Sequence, residues 1–220
     1  MAKAKLSTLF TEVHGKIGNI VVEMVEGEAT IRPLPTTNNP NTPAQQSIRN
    51  NFSASSKLFA SLTPAQQAAW RVYATDTPRK SPGTGKLVRL NPVAALNELT
   101  SKFLQINPGG TAPIAPPTAS FNGETLRVIA SGDTEWVLFT ATAANTVGVK
   151  TELLLVKVPT AGTVPPLKAY RSRAFMGFAV GALEREIIVP PGFYAAAYRF
   201  VKVATGQKTS LVTLGVVIVP

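Results

Sequence analysis

The chain has 220 residues, of which 45% are hydrophobic and 15% charged, and its formal net charge is +10. This apolar fraction excludes a wholly disordered chain and is enough for one large core or two small ones. The sequence contains no cysteine and a single histidine, His14. Disulfides, thiolate chemistry and metal sites built from cysteines or several histidines are therefore excluded.

No stretch of the sequence reaches the roughly 18 consecutive apolar residues of a membrane-spanning helix. The longest candidate, residues 211–220, is too short and is rich in β-branched side chains. The first ten residues hold two lysines and no apolar core, which is untypical of a secretory signal. We therefore expect a protein without a membrane partner, and the lack of cysteine suits a reducing cytoplasm.

The first predicted element is a β-hairpin over residues 17–33. Two runs rich in β-branched side chains, 20–25 and 28–32, flank a glycine-containing turn at Glu26-Gly27. Residues 1–16 are too polar to form a core of their own, so we expect them to become ordered only against a partner.

Three amphipathic helices are predicted next, and each begins with a capping signal. Thr42-Pro43 and Thr63-Pro64 both place threonine at the N-cap and proline at the first helical position, with glutamine at the third. Asn91-Pro92 opens a third helix over residues 93–106. We assign three aromatic side chains to packing between the helices: Phe52, Phe59 and Trp70.

The C-terminal part is predicted to be all-β. A proline-rich segment, residues 111–118, is predicted to link it as a stiff connection to a first domain of residues 1–110. Seven strand-like runs, separated by Gly, Pro and Asn turns, lie at residues 126–130, 135–142, 151–158, 169–178, 186–189, 193–204 and 210–219. The fold class is therefore α+β: a hairpin and three helices, then an immunoglobulin- or fibronectin III-like sandwich over residues 119–220.

The motifs that would carry catalysis are weak. Residues 80–86 end in Gly-Lys, but they lack the first glycine of a P-loop and its serine or threonine. His14 is considered as a general base, and a surface role is favoured. Glu23, Glu26 and Glu28 surround the predicted turn and favour a solvated tip over a metal site. We therefore expect no enzyme, no catalytic residue, no cofactor, no metal and no small-molecule substrate.

The basic charge is spread along the chain, with 12 basic and 6 acidic residues in 1–110 and 10 and 6 in 111–220. This balance favours acidic partners, either an acidic protein surface or nucleic acid. Tyr170, Arg171 and Arg173 interleave aromatic and basic side chains, a pattern able to stack bases and neutralise phosphates. The same pattern fits an ordinary strand whose arginines face solvent.

Several motifs follow one another in residues 15–106: Gly-Lys-Ile-Gly-Asn at 15–19, a hairpin ending at Arg32-Pro33, a Thr-Pro-Ala-Gln helix with Arg49 and Phe52, and a Leu-Thr-Pro-Ala-Gln helix ending in Ala-Ala-Trp70. Their order resembles a family of uncharacterised phage and prophage structural proteins. In that family the C-terminal part is β-rich and variable. Many relatives carry arginine where this chain has Gln67. A role that depends on the positive charge of that arginine is therefore not expected in this chain.

The resemblance implies a virion component of capsid, neck or tail, made in the cytoplasm of the bacterial host. Such a protein docks on other virion proteins and on copies of itself in a symmetric homo-oligomeric assembly. We expect the docking interface to contain four residues of the N-terminal region: Lys16, Ile17, Asn19 and Arg32. Two alternatives stay open: a nucleic-acid-binding protein that uses the basic and aromatic strand, and a receptor- or carbohydrate-binding sandwich.

Overall fold

The structure is a computed structural model that describes residues 2–4, 15–25, 28–34, 41–80 and 87–220. The chain divides into two compact units, Met1–Pro43 and Ala44–Pro220. The first unit is a small β-sheet, and the second contains three helices and the remaining strands. In the part of the chain that is described, no helix combines the length and apolar character needed to cross a membrane.

The first unit is a four-stranded antiparallel sheet rather than a hairpin alone. Its strands are β1 (Ala2–Ala4), β2 (Gly15–Ile17), β3 (Ile20–Val25) and β4 (Glu28–Pro33), arranged in the order β1-β4-β3-β2. The predicted hairpin is confirmed as β3 and β4. Residues 2–4 and 15–16 of the segment expected to become ordered only against a partner pair with β4 and β3 within the chain, and residues 5–14 lie outside the described residues, so the need for a partner stays a prediction.

The three predicted helices are confirmed as α1 (Pro43–Ser61), α2 (Pro64–Asp76) and α3 (Pro92–Ile106). The predicted capping box of α2 is present, because the Thr63 main-chain N–H donates to Gln66 Oε1 at 2.9 Å and the Gln66 N–H donates to Thr63 Oγ1 at 3.4 Å. Asn91 caps α3 by accepting the Val93 N–H at 2.9 Å. The caps therefore fix where these two helices begin.

The helices pack around Trp70, which is buried and donates from Nε1 to the Ile114 carbonyl at 3.0 Å. Phe59 packs partly buried against the same cluster, as predicted. The assignment of Phe52 to this core is wrong, since its side chain is 58% exposed. The contacts of α1 with the cluster begin at Leu58, six residues after Phe52, so the apolar stripe of the first turns of α1 extends beyond the core.

The C-terminal part contains seven strands in two antiparallel sheets. They are β7 (Val128–Asp133), β8 (Trp136–Ala141), β9 (Val149–Val158), β10 (Arg171–Met176), β11 (Glu184–Ile188), β12 (Gly192–Lys202) and β13 (Val212–Val219). The sheet orders are β11-β8-β7 and β10-β9-β12-β13. A short pair, β5 (Arg79–Lys80) and β6 (Leu87–Val88), precedes α3. The mixed α+β architecture with a β-rich C-terminal part is therefore confirmed.

The two sheets enclose the main core, with Val137 and Phe139 from one sheet facing Leu153 and Leu155 from the other. The opposite face of the larger sheet is covered as well, because Leu154, Ala195 and Ala197 are also buried. At one position the two sheets approach so closely that a Cβ on Gly132 would lie 1.8 Å from the Ile218 carbonyl oxygen. Glycine is therefore required at this contact between β7 and β13.

The predicted linker, residues 111–118, contains no helix or strand. It nevertheless lies within the second compact unit, where its Ile114 carbonyl accepts the Trp70 hydrogen bond. The predicted division of the chain into domains 1–110 and 119–220 stays a prediction about which parts fold independently.

Candidate docking surfaces

The four residues predicted to dock lie close together in the first unit but on two faces of its sheet. The register pairs Lys16 with Val21, and Val21 with Arg32, so these three side chains form one row on one face. Ile17 is paired with Ile20 in the neighbouring row, and their side chains therefore point to the opposite face. The sheet thus separates a charged face from an apolar one.

Arg32 on the charged face forms a two-point ion pair with Glu23. Its Nη2 donates to Glu23 Oε1 at 2.9 Å and its Nε donates to Glu23 Oε2 at 3.3 Å. Glu23 therefore neutralises Arg32 locally and, by its hydrogen bond and its charge, raises the pKa of the guanidinium. Arg32 is accordingly held in place by its own sheet.

The apolar face ends in an exposed tip, which we call the apolar turn and define as residues 17–20. Ile17 is 72% exposed and Ile20 is 46% exposed. Between them Gly18 has φ +59°, a left-handed conformation that suits glycine at a two-residue hairpin turn. The Asn19 carbonyl accepts the Leu34 N–H at 2.6 Å, which ties the turn to the end of β4.

A second feature, which the sequence analysis missed, is a buried carboxylate shared by two cations in the second unit. Glu152 on β9 has no exposed surface; its Oε1 lies 3.0 Å from Lys102 Nζ of α3 and its Oε2 lies 2.6 Å from Arg199 Nε of β12. Lys102 also donates to Gln105 Oε1 at 2.7 Å. The only sequence signal is one acidic residue beside three consecutive leucines in a strand.

The environment of this network shifts two pKa values. Burial lowers the pKa of Lys102 from 10.5 to about 8, although the Glu152 charge acts in the opposite direction. Burial would raise the pKa of Glu152, but the hydrogen bond from Arg199 and the charge of Lys102 outweigh it and lower that pKa.

A lysine with a lowered pKa beside a cavity is a signal of chemistry. Lys102, Asn97 and Phe52 do line a cavity of about 400 Å³. Here, however, the Lys102 ammonium is already bonded to Glu152 and Gln105. The geometry therefore suits a structural ion-pair network that joins α3 to the larger sheet. We call this network of Lys102, Glu152 and Arg199 the clamp.

The residues predicted to contact nucleic acid are only partly brought together. Arg171 and Arg173 are exposed on β10, an edge strand, and both line a groove of about 620 Å³ beside α1 and the end of α3. Tyr170 is only 8% exposed and packs in the core of the larger sheet, and this burial raises its pKa. Its ring therefore offers no free face on which a base could stack.

The remaining predicted chemistry falls partly outside the described residues. His14, Glu26 and the stretch 81–86, which holds most of the P-loop-like sequence, are not among them. Where the structure does describe the chain, it brings together no group of three histidine or acidic side chains suited to a metal ion.

Comparison with known proteins identifies no relative. No family model matches the sequence, and neither a curated protein nor a solved structure matches it.

Proposed function

We propose that this chain is a non-enzymatic structural or accessory protein of a phage virion, which docks on other virion proteins and on copies of itself. The observation that carries the proposal is the apolar turn of the first unit. Two isoleucines are exposed there side by side, on a compact unit separate from the rest of the chain. Exposed apolar groups at such a tip favour burial against a partner.

The edges of the same small sheet support docking by strand addition. Among the described residues, β2 pairs with residues 20–22 of β3 and β1 pairs with residues 29–31 of β4, so these two strands form the edges of the sheet. Strand edges with main-chain groups left to pair are templates for a strand from another chain. In a symmetric particle each such contact is repeated in every copy, which multiplies a weak interaction into a stable one.

The charge of the chain supports an acidic neighbour. The net charge is +10, and basic residues are in excess in both halves of the sequence. Complementary charge between docking surfaces speeds association and suppresses incorrect partners. The proposed neighbour is therefore an acidic face of another virion protein.

The second unit is proposed to carry a sandwich of the fibronectin type III kind. In that arrangement the first, second and fifth strands form one sheet and the other four form the second. The sheet orders β7-β8-β11 and β10-β9-β12-β13 agree with this arrangement. Tyr194 adds support, because near the start of the sixth strand its hydroxyl donates to the Pro190 carbonyl at 2.7 Å, as in a tyrosine corner.

The proposal is tested by incorporation of variants into particles. Tagged wild-type chain, an Ile17→Asp/Ile20→Asp variant and an Ile188→Asp control are produced in the host during particle assembly, and purified particles are probed for the tag. Ile188 is a matched control because it is 83% exposed but lies on β11 in the second unit.

We expect wild type and the control to enter particles and the apolar-turn variant to be excluded while it still folds, as judged by circular dichroism. Incorporation of the apolar-turn variant at the wild-type level would show that this turn is not the docking element. Exclusion of all three chains would contradict the virion assignment itself.

A further inference from the structure

The groove between α1, the end of α3 and β10 has the features of a binding site for a polypeptide segment. Its volume is about 620 Å³. The residues that matter for the argument come from all three elements: Ile48 and Asn51 from α1, Leu104 from α3, and Arg171, Arg173 and Phe175 from β10.

The groove has an apolar floor. Ile48 is 60% exposed in the first turns of α1, where the helix has left the helical core. Leu104 and Phe175 are half-buried on the other two walls. Apolar side chains from three different elements thus converge on one concave surface, which suits insertion of an apolar side chain from a partner.

The rim of the groove is basic and has no acidic member. None of the lining residues is Asp or Glu, and among the described residues no carboxylate lies within ion-pair distance of Arg171 or Arg173. Arg171 is held in place because its Nη1 donates to the Lys168 carbonyl at 2.9 Å. Two cations beside an apolar floor complement a segment that carries both carboxylates and an apolar side chain.

The shape of β10 disfavours simple strand addition at this edge. Its pairing with β9 shifts register between Ser172 and Ala174, so Arg173 lies in a bulge. A bulge interrupts the regular row of main-chain donors and acceptors that an added strand would need. The occupant is therefore held by its side chains in the groove.

Nucleic acid fits the groove less well than an acidic polypeptide. Tyr170 is buried, and Phe175 is half-buried with the Lys102 Nζ at 5.1 Å from its ring centroid. Stacking of bases needs a free aromatic face next to the cations. Neither the Tyr170 ring nor the Phe175 ring is exposed enough to stack against a base.

We propose that this groove binds an acidic segment of a partner protein, with an apolar side chain on the floor and carboxylates paired to Arg171 and Arg173. This site lies in the second unit and is independent of the apolar turn and of the virion assignment. A chain that is not a virion protein would still bind such a segment here.

The test is fluorescence anisotropy with the full chain and three labelled probes. The first is a short peptide of Asp and Glu with Leu and Phe. The second replaces its Leu and Phe by Ser, and the third is an oligothymidine. The variants are Arg171→Glu/Arg173→Glu, Ile48→Asp, and a charge-matched control, Arg127→Glu/Arg185→Glu, whose exposed arginines lie away from the groove.

We expect wild type and the control to bind the first peptide and the Arg171/Arg173 variant to bind it more weakly by roughly tenfold or more. Ile48→Asp should weaken the first peptide more than the second, because the new charge repels both peptides while the lost apolar contact is made by the first peptide alone. Equal affinity of both double variants, or of the two peptides, would overturn the proposal. Binding of the oligothymidine alone, lost in the Arg171/Arg173 variant, would assign the groove to nucleic acid instead. Circular dichroism of each variant ensures that a lost signal reports the site.

Discussion

Replacing Glu152 by glutamine removes the carboxylate that two cations share in the interior of the second unit. The amide is almost the same size, so the change leaves no cavity and isolates the effect of charge. Lys102 and Arg199 would keep their positions but lose the group that neutralises them. Breaking a buried ion pair in this way is costly because the remaining charge is uncompensated.

The size of the effect follows from the state of Lys102. Even with Glu152 present, burial lowers the pKa of Lys102 from 10.5 to about 8, so its ammonium is already in an unfavourable environment, and breaking a buried ion pair costs about 3–5 kcal/mol. Without Glu152 the lysine can relieve part of the cost by releasing its proton, whereas an arginine cannot. We therefore expect Glu152→Gln to lower the free energy of unfolding by about 3 kcal/mol at neutral pH.

The assay is urea unfolding followed by circular dichroism and tryptophan fluorescence. The two tryptophans report different parts of the second unit, because Trp70 lies in α2 and Trp136 in β8. Lys102→Met is the matched control: it removes the costly buried amine and leaves Glu152 bonded to Arg199, so we expect a much smaller loss. The double variant should lose less than the sum of the single ones, by ~1–3 kcal/mol. A Glu152→Gln chain within about 0.5 kcal/mol of wild type would show that the carboxylate does not compensate the two buried cations.

The other predictions concern the packing of α3 against the larger sheet and the loop that follows β12. Gly206 has φ +73°, and a Cβ there would lie 2.2 Å from the Leu99 carbonyl oxygen. Gly109 has a similar φ of +77°, but no atom lies within 4 Å of a Cβ placed there. Gly206→Ala should therefore lower the melting temperature by much more than Gly109→Ala does. Because the folded-state pKa of Lys102 lies below its unfolded value of 10.5, the unfolded chain binds more protons between about pH 8 and 10.5. This lysine should therefore make the chain more stable as pH rises through that window, and the wild-type slope of unfolding free energy against pH should exceed that of Lys102→Met. Equal slopes would contradict the lowered pKa of Lys102. Equal melting temperatures of the two glycine variants would contradict the close contact between Gly206 and the Leu99 carbonyl.

The elements of the fold were predictable where local chemistry decides them. The cap of α2 is an example, since Thr63 and Gln66 bond to each other within one turn and need no distant partner. The seven C-terminal strands were predictable because alternating apolar residues and Gly, Pro and Asn turns mark them along the chain.

The features that sequence reasoning missed depend on contacts between distant residues. Phe52 has the spacing of a core residue, but only the packing of α1 shows that the core begins at Leu58, six residues later. Glu152 is 50 residues from Lys102 and 47 from Arg199, so their ion pairs carry no local signal. That Lys16 shares a face of the sheet with Arg32 required the strand register, which the turn at residues 18–19 helps to set.

Membership in an assembled phage particle is the proposal on which the suggested function of this chain depends. The most direct measurement is quantitative mass spectrometry of phage particles purified by density gradient from the host that produces them. We expect peptides of this chain at a fixed ratio to the major structural proteins, a ratio that does not change with further purification. Recovery of the chain only from the soluble lysate, with none in the particles, would contradict the claim.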